Sequence, residues 1–375
     1  MSRSQVLGSL IALSLALSGC TASESKEELV AVEVAPTSTT AEKIEESSEE
    51  VLPEQTVEAP EQTADVDKPQ SPEPKPTQSA PEVILPSTGE KAFLEINRLL
   101  DSSHKAQVGT VRAHENIEQA IVDEAIAQIS KAASAWDEDY GVISDFELVI
   151  FRQESAAWAD EIRVSNGDRI GRGTFVNDVK ISSSGPHCGF MYILQNRVYS
   201  CIPDSGTDGM LGALLPHEYF HALTYELGID HTNLPIWIAE GLGSYIGDTM
   251  YFKSYEAYHS KSQHWRNWNM YERFGHMTLG QFSDRITQDE VNLIYTKLEA
   301  FTANDAQQLM QDYPAYQFGA VAAENLIGSF GIDTMMSFLE AVGSGQYWKS
   351  AFEKYYGQTV PEFYVDMLSY IQENY

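Results

Sequence analysis

The chain of 375 residues carries 55 acidic side chains against 24 lysines and arginines, a formal net charge of −31. A surface this acidic repels phosphate backbones and anionic lipid headgroups, which argues against nucleic acid as a partner. It leaves the solubility of an exported protein, or a preference for basic substrates.

Met1-Ser2-Arg3 is a short basic head, and Val6 to Leu17 is an apolar run broken only by glycine and serine. A bilayer-spanning helix needs about twenty residues, so this run reads as the core of an export signal over residues 1–19. Leu17-Ser18-Gly19-Cys20 resembles the bacterial lipobox, which implies cleavage before Cys20, acylation of that cysteine and attachment to a membrane through the lipid. A conventional signal cut at small residues is the alternative. Thr21 stands where an aspartate favours inner-membrane retention in the enterobacterial pattern, so an outer-membrane anchor in the cell envelope is expected, facing the periplasm or the cell surface.

Residues 20–88 change to Glu, Pro, Ser, Thr and Ala; residues 21–90 hold seventeen acids against four lysines and no aromatic side chain. Such a composition cannot bury enough apolar surface to offset chain entropy, and a disordered tether is expected. A flexible coil of this length spans roughly 45 Å, as a leash for an anchored domain or as a simple spacer.

The folded part opens with an amphipathic helix predicted over Ala113 to Trp136, where Ile117, Ile121, Ala125 and Ile129 recur every four residues beside Val122, Ile126 and Ala133. Phe146 to Phe151 reads as a strand. Glu161 to Val164 and Arg169 to Val176 flank Asn166-Gly167, a strong hairpin signal. Gly171 and Gly173 read as strand irregularities and not as a nucleotide loop. A second hairpin is predicted from Gly189 to Leu194 through Gln195-Asn196 into Arg197 to Ile202. Cys188 and Cys201 flank it and are expected to form a disulfide in an oxidising compartment, with metal binding by the pair as the weaker alternative.

The metal chemistry lies in His217-Glu218-Tyr219-Phe220-His221. On a helix the two histidines project from one face, so both imidazoles reach one metal ion with Glu218 beside it. Pro216 forces a choice: a helix capped at Asp208 bends there, or the helix starts at Pro216. Glu240, nineteen residues after His221, is the candidate third ligand. Two histidines and a glutamate are a set that catalytic zinc takes when a fourth position stays open for water.

The HEYFH motif, the eighteen-residue gap to Glu240 and the setting Trp237-Ile238-Ala239-Glu240-Gly241 together resemble the gluzincin metallopeptidases, the superfamily of thermolysin and the aminopeptidase-N-like enzymes. The resemblance covers about residues 185–370. It implies an α+β zinc-peptidase domain, with a small antiparallel β-sheet ahead of the metal helix in a lobe over residues 89–207 and a mainly helical lobe over residues 208–375. It also implies zinc (Zn2+) held by His217, His221 and Glu240, Glu218 as general base, and a peptide or protein substrate added as a strand along the sheet edge. The family often carries an acid four residues after the ligand glutamate, where it holds a ligand histidine in the right tautomer. Here that position is Ser244, with Asp248 one turn further as the other candidate.

Downstream, helices are predicted over Tyr251 to Phe274 and Thr287 to Phe301, and Tyr313-Pro314-Ala315-Tyr316-Gln317-Phe318-Gly319 opens another that runs to about Phe330. Tyr316-Gln317-Phe318-Gly319 resembles the Tyr-x-x-Gly phrase whose tyrosine donates to the oxyanion in aminopeptidase-N-like enzymes; Tyr313 is the alternative. His231, His259, His264 and His276 lack metal spacing and read as surface or packing residues, and Trp237 as core. Three short helices close the chain: one capped by Asp333, one over Gln346 to Tyr356, and one opened by the capping box Thr359-Val360-Pro361-Glu362 with a stripe of Phe363, Tyr364, Met367, Leu368 and Ile371. No Gly-x-Met-Glu-Asn-like segment stands upstream, which favours an endopeptidase or a different exopeptidase over an aminopeptidase. An inactive peptidase-shaped lipoprotein that binds envelope partners, and a zinc hydrolase of a non-peptide bond, are the rival readings.

Overall fold

A four-stranded sheet precedes the metal helix. Its strands are β1 (Thr110–Ala113), β2 (Glu147–Phe151), β3 (Phe190–Leu194) and β4 (Arg197–Cys201), in the order β1-β2-β4-β3. The computed structural model describes residues 86–101, 109–141, 143, 146–167, 174–180, 190–194, 196–203, 210–229, 233–265, 279–299, 313 and 315–375. The export signal, Cys20 and the tether through residue 85 lie outside the described residues, as do Cys188 and Asp208.

The sheet is not antiparallel, as expected, but mixed. β1, β2 and β4 run parallel, and only β3 is antiparallel, turning into β4 with Leu194 opposite Arg197. The connections explain this. β1 reaches β2 through α2 (Gln119–Tyr140), and β2 reaches β4 past α3 (Ala156–Ser165) and α4 (Phe175–Lys180). Crossovers of that length return the chain in the same direction.

Three local readings fell with the antiparallel sheet. Ala113 closes β1 and does not open a helix, since α2 starts at Gln119. Glu161 to Val164 belongs to α3, in which Ala156, Ala159 and Ile162 are buried at a spacing of three, a helical period and not a strand's. Gly167 does adopt a positive φ of 77°, but it follows the end of a helix and makes no hairpin. Residues 169–173 of the expected second strand lie outside the described residues, and Phe175 and Val176 are helical.

β2, with a neighbour on each side, is buried at all five positions. Glu147 at its start lies 2.6 Å from the Arg112 guanidinium on β1 and pairs also with Arg197 on β4. One buried carboxylate thus ties three strands together.

The helical part comprises α1 (Thr88–Leu100), α5 (Leu215–Glu226), α6 (Ile236–Tyr251), α7 (Tyr255–Trp265), α8 (Leu279–Ser283), α9 (Gln288–Lys297), α10 (Ala315–Phe330), α11 (Ile332–Gly343), α12 (Trp348–Tyr356) and α13 (Val360–Asn374). α6 and α10 make the most extensive pair; α1 packs against α10, and α5 against α6. Trp237 sits at the centre, 1% exposed and stacked on Phe363 at 5.7 Å between ring centroids. The main core runs from Ala92 of α1 to Ile371 of α13 and draws on residues from both sides of position 207, and a second, smaller cluster gathers Val149, Phe151, Ala159, Ile162, Phe175 and Tyr199 between the sheet and α3 and α4.

Thr287 and Thr359 both form capping boxes, with Glu290 and Glu362. Asp333 is not a cap: Gly331 takes that place and Asp333 falls in the first turn of α11. Phe363, Tyr364, Met367 and Ile371 are buried along α13, with Leu368 packed at the margin. No described helix is long and apolar enough to cross a membrane.

Candidate metal centre

The chain enters α5 through a π-helical turn, Met210–Leu214, which runs directly into Leu215. Pro216 therefore stands at the second position of α5, directly after the π-helical turn, where the proline's missing N–H meets a turn whose hydrogen-bond pattern is already shifted from that of an α-helix. The wider turn ahead replaces both the kinked α-helix and the fresh start at Pro216 that the sequence allowed. Turns of this kind recur at functional sites.

His217, Glu218 and His221 are 4%, 6% and 5% exposed, and Glu240 on α6 is 5% exposed. His217 Nε2 lies 2.9 Å from His221 Nε2, and Glu240 Oε2 lies 3.4 Å from the first and 3.5 Å from the second. Bonds of about 2.0–2.1 Å at tetrahedral angles put ligand atoms about 3.3 Å apart, so the three atoms stand where one small ion would bind them all. Glu240 Oε2 is buried with no hydrogen-bond partner. A buried carboxylate oxygen without a donor is costly unless a cation satisfies it. His217, His221 and Glu240 are the three-residue group among the described residues that could hold a metal ion.

Burial sets the electrostatics. It raises the Glu218 carboxyl above its ordinary value, with the two imidazoles offsetting part of the effect. Burial also works to raise Glu240, but the charges of His221 and His217 prevail and hold it below the usual carboxylate range. For His221 burial favours the neutral ring, and the carboxylates of Glu240 and Glu218 more than compensate, so its value rises.

Tyr316 joins this group. Its ring centroid lies 6.3 Å from that of His217, and burial together with the charges of Glu240 and Glu218 lifts its phenol well above the ordinary value. Tyr313, by contrast, is a core residue, 4% exposed. What brings Tyr316 here is a glycine crossing: a Cβ on Gly241 would stand 2.3 Å from the carbonyl carbon of Gly319, so α6 and α10 meet backbone to backbone.

The remaining sequence candidates divide. Ser244 and Asp248 are half-buried on α6, and Asp248 lies outside the three-residue group. His259 packs between the rings of Tyr255 and Tyr375, at 5.4 and 5.1 Å, as a packing residue would. His231, His276 and the side chain of His264 lie outside the described residues. Cys201 is fully buried and disulfide-bonded, and Cys188 lies outside the described residues. A cavity of about 20 Å³ beside His221, between Phe220, Thr224, Ala239 and Leu242, has room for about one water and not for a peptide side chain.

Sequence reasoning overlooked the glycines of α6. Gly241, Gly243 and Gly247 interrupt a helix in which each costs about 1 kcal/mol relative to alanine, and that cost was the available signal that another group approaches closely. No protein-family model matches the chain, and no curated protein or solved structure resembles it significantly.

Proposed function

We propose that this protein is a zinc-dependent metallopeptidase of the gluzincin type, held to the bacterial cell envelope by a lipid on Cys20. The observation that carries the reading is the convergence of His217 Nε2, His221 Nε2 and Glu240 Oε2 at 2.9 to 3.5 Å, with that oxygen lacking any other partner.

When bound, zinc supplies a Lewis acid that lowers the pKa of water from about 15.7 toward about 7. Glu218, buried beside the ligands with its carboxyl raised, is placed to take a proton from the attacking water and return it to the leaving amine. The Tyr316 phenol stays protonated at neutral pH and serves as donor to the oxyanion that forms on the scissile carbonyl. Among the described residues β3 is the outer strand of the sheet on the side next to α5, which supports an extended peptide adding itself there as a further strand.

The test compares the chain with its Glu218→Gln variant for zinc content and for cleavage of casein or a peptide library. Zinc in both with cleavage only by the parent is the expected result. Zinc in both without any cleavage would move the assignment to a non-peptide substrate or to a binding role, and absence of zinc under metal-replete conditions would end the metal reading.

A further inference from the structure

The resemblance calls for a carboxylate four residues after Glu240 to fix a ligand histidine, and this chain has Ser244 there. The structure offers a different device. A Cβ at Gly243 would stand 3.0 Å from His217 Nε2 and 3.1 Å from both Cδ2 and Cε1. Near-equal distances to these three ring atoms mean that a Cβ here would sit over the face of the imidazole, so the Gly243 α-carbon packs on that face. One turn further, a Cβ at Gly247 would stand 3.1 Å from His217 Cβ and 2.3 Å from the Ala213 carbonyl oxygen in the π-helical turn. Tyr316 stands against the same imidazole, with its ring tilted 46° to it.

We propose that Gly243 and Gly247 are positioning residues for the metal, seating the His217 ring by backbone contact where a carboxylate would otherwise hold it by a hydrogen bond. Gly247 fixes how closely α6 approaches the base of the side chain, and Gly243 fixes the plane of the ring. Ligand distances in a metal site hold to within about 0.2 Å, and a methyl group at 243, 3.0 Å from Nε2, asks the ring to give by an amount of that order or more. The proposal rests on reading His217, His221 and Glu240 as metal ligands.

The experiment titrates the metal-stripped full chain with zinc against a chromophoric chelator and records the visible spectrum of the cobalt(II) form. Gly243→Ala is expected to weaken zinc binding about tenfold or more and to shift the cobalt bands. A Gly243→Ala protein with the parent's zinc affinity and cobalt spectrum overturns the proposal. A parent chain that binds neither ion is a different failure, that of the metal reading itself, and the proposal falls with it. Should Gly243→Ala not fold, the double variant His217→Ala/Gly243→Ala decides: a recovered fold, with the imidazole gone and room for the methyl, supports the seat, and no recovery overturns it.

Discussion

Gly319 of α10 lies against Gly241 of α6 so closely that a Cβ on Gly319 would meet the Trp237 carbonyl oxygen at 2.5 Å and the Gly241 α-carbon at 2.7 Å. Gly241 directly follows Glu240, and Gly319 lies one turn beyond Tyr316. The crossing thus sets the distance between Glu240 and Tyr316. Gly319→Ala gains about 1 kcal/mol of helix propensity but forces two backbones apart, at a cost of about 1–3 kcal/mol or more. A net fall in Tm is expected by thermal denaturation, and an unchanged or raised Tm would mean that the helices can separate freely.

Tyr316→Phe removes one hydroxyl at the site's edge and no metal ligand. Zinc affinity should remain that of the parent while kcat falls about 10²–10³-fold, the usual loss for one oxyanion donor. Steady-state kinetics on a cleaved peptide, read beside a zinc titration, separates the two effects. Equal kcat for variant and parent would remove Tyr316 from the chemistry.

The metal-free protein should show a pH dependence that zinc reverses. His221 has its value raised above 6.5, so its contribution is complete below about pH 6.5 and is lost as pH rises through the raised value. Glu240 is lowered from 4.5, so its contribution is present above that pH and is lost as pH falls through the lowered value. The metal-free Tm should therefore decline as pH rises past neutrality. Zinc takes a neutral imidazole, so its apparent affinity should rise with pH, by up to about tenfold per unit for each proton displaced. Calorimetry of both forms across the neutral range checks the two slopes; a metal-free Tm that climbs with pH contradicts the pairing.

Glu147 is the sheet's internal tie. Its side chain is 8% exposed, Arg197 is 18% exposed and Arg112 49% exposed. Glu147→Ala leaves Arg197 largely buried without its partner and should cost about 3–5 kcal/mol. Arg112→Ala breaks a half-exposed pair and should cost less than about 1 kcal/mol. Urea denaturation of both variants ranks them, and equal losses would show that Glu147 has no special place among the three strands.

The helical half was largely legible because its signals are local. Thr359 and Glu362 close a capping box within four residues, and the stripe of α13 repeats with the period of its own helix. The sheet was not. β1 is four residues long with alternating exposed and half-buried positions, too little for a period to emerge, and without it nothing announced that β2 would be entered from a parallel neighbour. Glu161 to Val164 alternates like a strand over four residues, whereas its burial follows the longer helix it belongs to.

For the site, the sequence by itself determined the pair His217 and His221, because a spacing of four on a helix fixes their common face whatever surrounds them. Glu240 and Tyr316 were brought to that pair by the resemblance and not by any spacing on one helix. Those two come from helices that the chain reaches much later, and their approach depends on contacts between distant backbones: Gly241 on Gly319, Gly243 and Gly247 on His217. A missing side chain leaves no chemical signature of its own in a sequence, so only the packed structure shows which atoms occupy the space each glycine leaves open.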